Sequence, residues 1–275
     1  MKKRLMTAQK MKRTGIILLV SMVCPTAAYG STARDIAAAS GGFIREEQGA
    51  LVSQITNEKE FVPGFEHAVT DALRFCDGAE IAFYPYQYEG NGVVYRIPAD
   101  KVELLLNRHR FVQDWLEAFV PAIVPGGTDR EGAIRRIFDY IVANYSYDYG
   151  APKDFYSIHD SQGAYRIITT GQGICSGYSK LFRGMVEYLP FNAQGIVDYE
   201  ASEVFHIPVA IVNWIQGNEG HEWNAIRDPK DGLWYHYDLS ETVMDHDGYE
   251  RYCLSDVNIA GDGKHGHISE HIYEY

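Results

Sequence analysis

Three side chains in the C-terminal half of the chain have the types and setting for thiol chemistry: Cys175, His221 and Asp238. A cysteine attacks as its thiolate, and that anion is stabilised by the unpaired N–H groups of a helix start and by a neighbouring imidazole. Gly171, Gln172 and Gly173 lead into Cys175, after which Tyr178, Leu181, Phe182, Met185, Val186 and Leu189 recur at helical spacing as far as Pro190. The spacing places Cys175 at the mouth of a buried helix, behind glycines that let the backbone approach a substrate closely. Its own N–H then points at a developing oxyanion. Downstream, in GHEWNAIRDPKDGLWYHYDLS, Asp228, Pro229, Lys230, Asp231 and Gly232 separate two strand-like runs. A fold between Pro229 and Lys230 pairs Ala225 with Trp234, Trp223 with His236 and His221 with Asp238. Directly opposed residues on one face have Cβ atoms about 4.5–5.5 Å apart, so this register brings the imidazole to the carboxylate. Asp238 would orient His221, His221 would take the proton of Cys175, and the thiolate would attack an amide carbonyl to leave a thioester.

These groups need a scaffold, and the flanking sequence supplies one. Thr128 with Glu131 three residues on fits a capping box, and Ile134, Ile137, Phe138, Ile141, Val142 and Tyr145 follow with the stripe of an amphipathic helix. A helix is also expected from Asp100, with an apolar side formed by Val112, Trp115, Leu116, Phe119 and Val120, ending at Pro121. A loop rich in Tyr, Asp and Gly runs from Ser146 to Gly163 beside the cysteine segment. After the cysteine helix come strand-like stretches at Gln194 to Tyr199, Phe205 to Trp214, Gly220 to Arg227 and Leu233 to Leu239. Helices followed by strands indicate an α+β fold with an antiparallel sheet. Ahead of them, residues 31–60 read as a leader helix, Phe65 to Phe75 as a helical segment, and Ala79 to Tyr86 with Gly92 to Ile97 as a β-hairpin. The expected organisation is residues 1–30, an N-terminal helical and hairpin portion over 31–125, and a catalytic domain over 126–275.

Residues 1–13 carry six basic side chains and no acid and run into the apolar stretch Gly15 to Val23. That is the pattern of a secretory signal, too short to span a bilayer, with cleavage placed after Gly30 or Ala28. Met11, followed by Lys12 and Arg13, can open such a signal equally well, and Val23 before Cys24 argues against lipoprotein processing. Without residues 1–30 the chain holds 19 basic and 37 acidic side chains, a formal balance of −18. Nucleic acid is therefore disfavoured as a partner, since neutralising phosphates takes clustered Lys and Arg. Export leaves Cys76, Cys175 and Cys253: either Cys76 pairs with Cys253 and Cys175 stays free, or all three are reduced.

Other histidines compete for a role. His206, in an apolar run, reads as a buried structural residue; His236 shares a face with His221 and is the alternative base; His265, His267 and His271 read as a solvated tail rather than a zinc cluster. Trp223 and Trp234 read as core residues of the sheet.

The motifs GQGICSGYSKLF, HEWNAI and WYHYDLS, with DYIVANYSYDY before them, resemble those of the transglutaminase-like superfamily, including its exported bacterial members, over roughly residues 130–240. The resemblance implies a papain-like core with the cysteine helix on an antiparallel sheet, and a Cys175, His221 and Asp238 triad. It implies neither metal nor cofactor. The activity it implies is that of a cysteine peptidase, amidase or acyltransferase on peptide or protein substrates, those of the cell envelope included. A non-catalytic peptide- or glycan-binding module on the same fold is the alternative. No residue matches the family's second oxyanion donor.

Overall fold

The computed structural model describes residues 34, 45–55, 86–89, 92–151, 162–216, 219–245, 250–266 and 271–274, all within the compact unit Ser31–Tyr275. The expectations for residues 1–30, for Phe65 to Phe75, for Cys76 and for His267 lie outside these residues.

The first strands are β1 (Arg45–Glu47) and β2 (Ala50–Ile55), followed by β3 (Tyr86–Glu89) and β4 (Gly92–Ile97). They form a four-stranded antiparallel sheet in the order β1-β2-β4-β3. Part of the span expected as a leader helix is thus strand. The reason is local: Gln48 and Gly49 both take positive φ, 53° and 84°, which suits a tight two-residue hairpin, and Glu46 Oε1 accepts from Gly49 N at 2.7 Å. The β3-β4 hairpin turns between Glu89 and Gly92, close to where the sequence placed it.

Helix α1 (Ala99–Ile123) buries Val102, Leu105, His109, Val112, Leu116 and Val120, spaced three or four apart along one side. Pro121 lies inside its last turn, two residues short of the end. Helix α2 (Arg130–Asn144) buries Ala133, Ile134, Ile137, Phe138 and Ile141. Its cap is Asp129, whose side chain accepts from Gly132 N at 2.8 Å, whereas Thr128 donates to Pro125 O. The capping box expected at Thr128 is displaced by one residue, because aspartate caps at least as well as threonine.

Strand β5 (Ser146–Tyr147) pairs in parallel with β6 (Gln172–Gly173), which follows the short helix α3 (Ala164–Thr170). Helix α4 (Cys175–Tyr188) is buried nearly all round, from Ser176 to Val186, and packs against α1, α2, α3 and the C-terminal sheet. That sheet contains β7 (Val209–Gln216), β8 (Glu219–Arg227), β9 (Trp234–Tyr237), β10 (Leu254–Ser255) and β11 (Ile272–Glu274) in the antiparallel order β10-β9-β8-β7-β11. Gln194 to Tyr199, expected as a strand, makes only isolated bridges, because Asn192 Oδ1 accepts from Gln194 N and Ile196 N and turns the chain there. Helices α5 (Leu239–Met244) and α6 (Asp256–Ala260) complete an α+β architecture.

The main core joins Val112, Leu116 and Val120 of α1 to Ile137 and Phe138 of α2, Phe182 and Met185 of α4, and Ile226 and Tyr237 of the sheet. A second core around Trp223, Val212, Ala225, Leu254 and Ile259 lies under α6. Among the described residues no helix is long and apolar enough to cross a membrane.

Candidate active site

Cys175 is the first residue of α4, and Ile174 before it offers no side-chain cap. The first-turn N–H groups of this helix are therefore not taken up by a capping side chain. The turn is docked from inside. Ser179 Oγ donates to Cys175 O at 3.0 Å, and the fully buried Asn224 of β8 donates to Ser179 O at 3.1 Å. The approach to Cys175 is held by the β5-β6 pairing, with Ser146 N donating to Gly171 O and Asp148 N to Gly173 O, each at 3.0 Å. Gly171 ends α3 at φ 77°, and a Cβ on Gly173 would lie 3.0–3.2 Å from three atoms of the buried Ile167. Both glycines are needed, the first for its left-handed backbone and the second for space.

His221 on β8 and Asp238, just past β9 at the cap of α5, meet at 2.6 Å through His221 Nε2 and Asp238 Oδ2. Cys175 is among the groups that raise the His221 pKa, so its thiol acts on the same ring. With Nε2 engaged, Nδ1 is the nitrogen left for the thiol. The three expected side chains thus come together, but not through the expected register. Asn224 pairs with Tyr237, Ala225 with His236 and Arg227 with Trp234, a slip of two residues that sets Asp238 diagonal to His221. The slip arises in the turn, where Asp228 N donates to Leu233 O and Gly232 N to Asp228 O, with Gly232 at φ 72°. The apex therefore sits one residue later, between Lys230 and Asp231. Because the slip is even, every side chain keeps its face.

Burial works against charge on His221, but the Asp238 carboxylate, the hydrogen bond to it and the contact with Cys175 outweigh it and hold the imidazole pKa well above its ordinary value. Asp238 is 1% exposed; burial opposes its charge too, yet His221 and His265 hold its carboxyl well below the usual range. The remaining oxygen, Oδ1, accepts from Ser240 Oγ at 2.8 Å and Glu241 N at 3.0 Å. An ionised Asp238 beside a protonated His221 is the state these contacts favour.

The structure removes His236 as a base. Trp223 Nε1 donates to its Nδ1 at 2.9 Å, its Nε2 meets Asp256 Oδ1 at 2.8 Å, and burial lowers its pKa. Both nitrogens are committed, in the neutral tautomer that donates from Nε2. His206, expected to be buried, is exposed. Trp223 is core, as its type suggests, and its ring also stacks on His221, with centroids 5.6 Å apart. The solvated tail is corrected as well, for His265 is fully buried and His271 Nε2 donates to its carbonyl at 2.7 Å. Cys253, like Cys175, is a free thiol, and it is exposed.

His221, Asp238 and His265 each place one potential ligand atom within 4.8 Å of the others. Asp238 Oδ2, however, lies 2.6 Å and 2.8 Å from the two ring nitrogens. Two ligands of one tetrahedral zinc stand roughly 3.3 Å apart, so these spacings fit shared protons better.

Tyr147 went unnoticed in the sequence. It is half-buried on β5, and burial together with the charges of Cys175, Glu241 and Asp238 raises its pKa, keeping the hydroxyl protonated and able to donate. Tyr149 packs on it at 5.1 Å. The one available signal was position, in the segment that runs alongside the glycines ahead of Cys175.

Residues 117–239 match the model of the transglutaminase-like superfamily, a span that includes Cys175, His221 and Asp238. Among solved structures the chain is similar to a TGase, at 11% identity and a TM-score of 0.34, over 62% of this chain and 47% of that one. It is similar to a candidate cysteine protease from Cytophaga hutchinsonii, at 14% identity and TM-score 0.31, over 66% and 60% of the two chains. A third likeness is to a candidate protease from Parabacteroides distasonis, at 14% identity and TM-score 0.29, over 58% and 34%. The chain thus spans less than two thirds of each of these proteins. No curated protein matches the sequence.

Proposed function

We propose that the transglutaminase-like region of this chain, residues 117–239, carries out acyl transfer or hydrolysis on peptide or glutamine-type amides through a thioester on Cys175. The observation that carries this reading is the 2.6 Å contact between His221 and Asp238, on a ring whose pKa Cys175 at the start of α4 helps to raise. The Cys175 proton is held on His221, and the sulfur attacks the amide carbonyl carbon as the thiolate. The carbonyl oxygen becomes an oxyanion, stabilised by the Cys175 N–H and the Tyr147 hydroxyl. Collapse breaks the C–N bond, and His221 passes its proton to the leaving amine. Water or a second amine, deprotonated by His221, then attacks the thioester and restores the thiol. Asp238 keeps the imidazole in one orientation throughout.

The balance of −18 without residues 1–30 suits neutral or cationic substrates better than anionic ones. The basic and apolar pattern of residues 1–30 supports work outside the cytoplasm, on secreted or envelope proteins. Incubation of wild type and Cys175→Ala with a glutamine-rich protein and a fluorescent amine tests the activity. Amine incorporation by wild type alone supports a transferase, and shorter fragments support a peptidase. Identical, unreacted products from both proteins would sink the proposal.

A further inference from the structure

The hydrogen bonding around Asp238 extends past Cys175 and His221. Its Oδ2 serves two imidazoles at once, His221 Nε2 at 2.6 Å and His265 Nε2 at 2.8 Å. Its Oδ1 is occupied by Ser240 and Glu241 N. The carboxylate's acceptor sites are filled and its rotamer is locked. His265 is fully buried, and its other nitrogen, Nδ1, lies 2.8 Å from Asp262 Oδ2. Asp262 accepts from Lys264 N at 2.9 Å and more distantly from Arg251 Nε at 3.4 Å, while Arg251 reaches on to Asp245 at 2.6 Å. His265 also sets its ring edgewise against Trp223, at 4.8 Å, and lies 5.4 Å from the His221 ring.

We propose that His265, which lies beyond the matched region, is a fourth, positioning member of the site: held between Asp238 and Asp262, it shares the Asp238 carboxylate with His221 and limits how tightly His221 keeps its proton. The inference rests on the proposed thiol chemistry and deepens it.

The chemistry follows from the donor count. A carboxylate only accepts, and both ring nitrogens of His265 are engaged with carboxylates, so its place and its ring orientation are fixed from two sides. Asp238 and Asp262 are the acidic groups facing His265. His221 faces it across Asp238, His236 and His271 stand around the same Trp223, and Arg251 is one bond further through Asp262. His236 is kept neutral by burial. His265 thus takes part of the Asp238 hydrogen-bonding capacity that would otherwise go to His221. Without it, Asp238 would hold His221 protonated more strongly. The ring would orient less firmly and give up its proton to the leaving amine less readily.

The test is the pH profile of iodoacetamide alkylation at Cys175, read by peptide mass spectrometry on the full chain for wild type, His265→Gln and Asp262→Asn. In wild type the upper transition of the profile marks loss of the His221 proton. In His265→Gln it should move up by about one pH unit, with slower substrate turnover. Asp262→Asn, which leaves the His265 ring in place, should move it in the same direction by less. A purely structural role for His265 would lower melting temperature and turnover but leave the transition where it is. That result in folded His265→Gln, or in Asp262→Asn where the first variant does not fold, overturns the inference. If wild-type Cys175 itself reacts no faster than a free cysteine at low pH, the thiol chemistry fails first and the inference falls with it.

Discussion

Adding one methyl group at Gly173 should disable the site from two residues away. An ideal Cβ there lies 3.0 Å from Ile167 Cδ1, 3.1 Å from Cβ and 3.2 Å from Cγ1. Ile167 is fully buried, and its Cβ is fixed to the α3 backbone, so the side chain cannot simply swing aside. Overpacking of this kind costs about 1–3 kcal/mol. For a chain of this size that corresponds to a loss of about 2–12 °C in melting temperature. The alternative to strain is a shift of Gly173, which carries the Asp148 N bond and the pairing with Tyr147. Moving the backbone that feeds Cys175 by about 1 Å is worth roughly 100-fold in rate. Gly173→Ala should therefore melt lower in calorimetry and alkylate or turn over at Cys175 far more slowly. Adding Ile167→Ala removes the outer two contacts, so the double variant should be less destabilised than the two single losses summed, by about 1 kcal/mol. Gly171→Ala has nothing within 4 Å and should cost only about 1 kcal/mol, from its φ of 77°. A Gly173→Ala protein with unchanged melting temperature and unchanged Cys175 reactivity would refute the close-packing explanation.

Asp238→Asn keeps the shape but sets an amide N–H against a ring nitrogen, so turnover should fall by about 10³–10⁴. His236→Gln, on a ring outside the relay, should cost stability and leave the folded protein active within a few fold. His109 is buried on α1, and burial, aided by Arg110, lowers its pKa from 6.5 to about 4. The unfolded chain then takes up a proton in a range where the folded one does not, so stability present above pH 6.5 is lost as pH falls towards 4. The loss reaches about 3 kcal/mol at most. Urea denaturation at pH 7 and pH 4.5 should show that slope in wild type and a flatter one in His109→Gln. The His221–Asp238 pair acts in both directions: its raised imidazole loses stability as pH rises through the folded value, and its lowered carboxylate loses it as pH falls well below 3.8.

Elements that bury one face were legible in the sequence because a helical stripe leaves a strong period. The apolar sides of α2 and α4 are the residues whose spacing announced them. The meeting of His221 with Asp238 was legible because strand alternation fixes the face, and an even slip of the hairpin leaves it unchanged. The size of the slip was not, since it depends on how Asp228 and Gly232 bond within the turn. Strands β1 and β2 were hidden by their polar surroundings, although Gln48 and Gly49 held the turn signal. His265 could not be placed, because nothing local sets a residue 27 positions downstream against Asp238. Tertiary packing alone does that, and the same packing shields His265 from water.

Cys175 is half-buried and Cys253 exposed, and both thiols are free. Accessibility alone would make Cys253 the faster to react. The most direct test of the central claim is competitive alkylation of the native protein with limiting iodoacetamide at pH 6, the two sites quantified as peptides. If Cys175 is paired with His221 and Asp238 as described, it should be labelled well ahead of Cys253, and His221→Ala should abolish that preference. Labelling of Cys253 first in wild type, with Cys175 no more reactive than a free cysteine, would contradict the account.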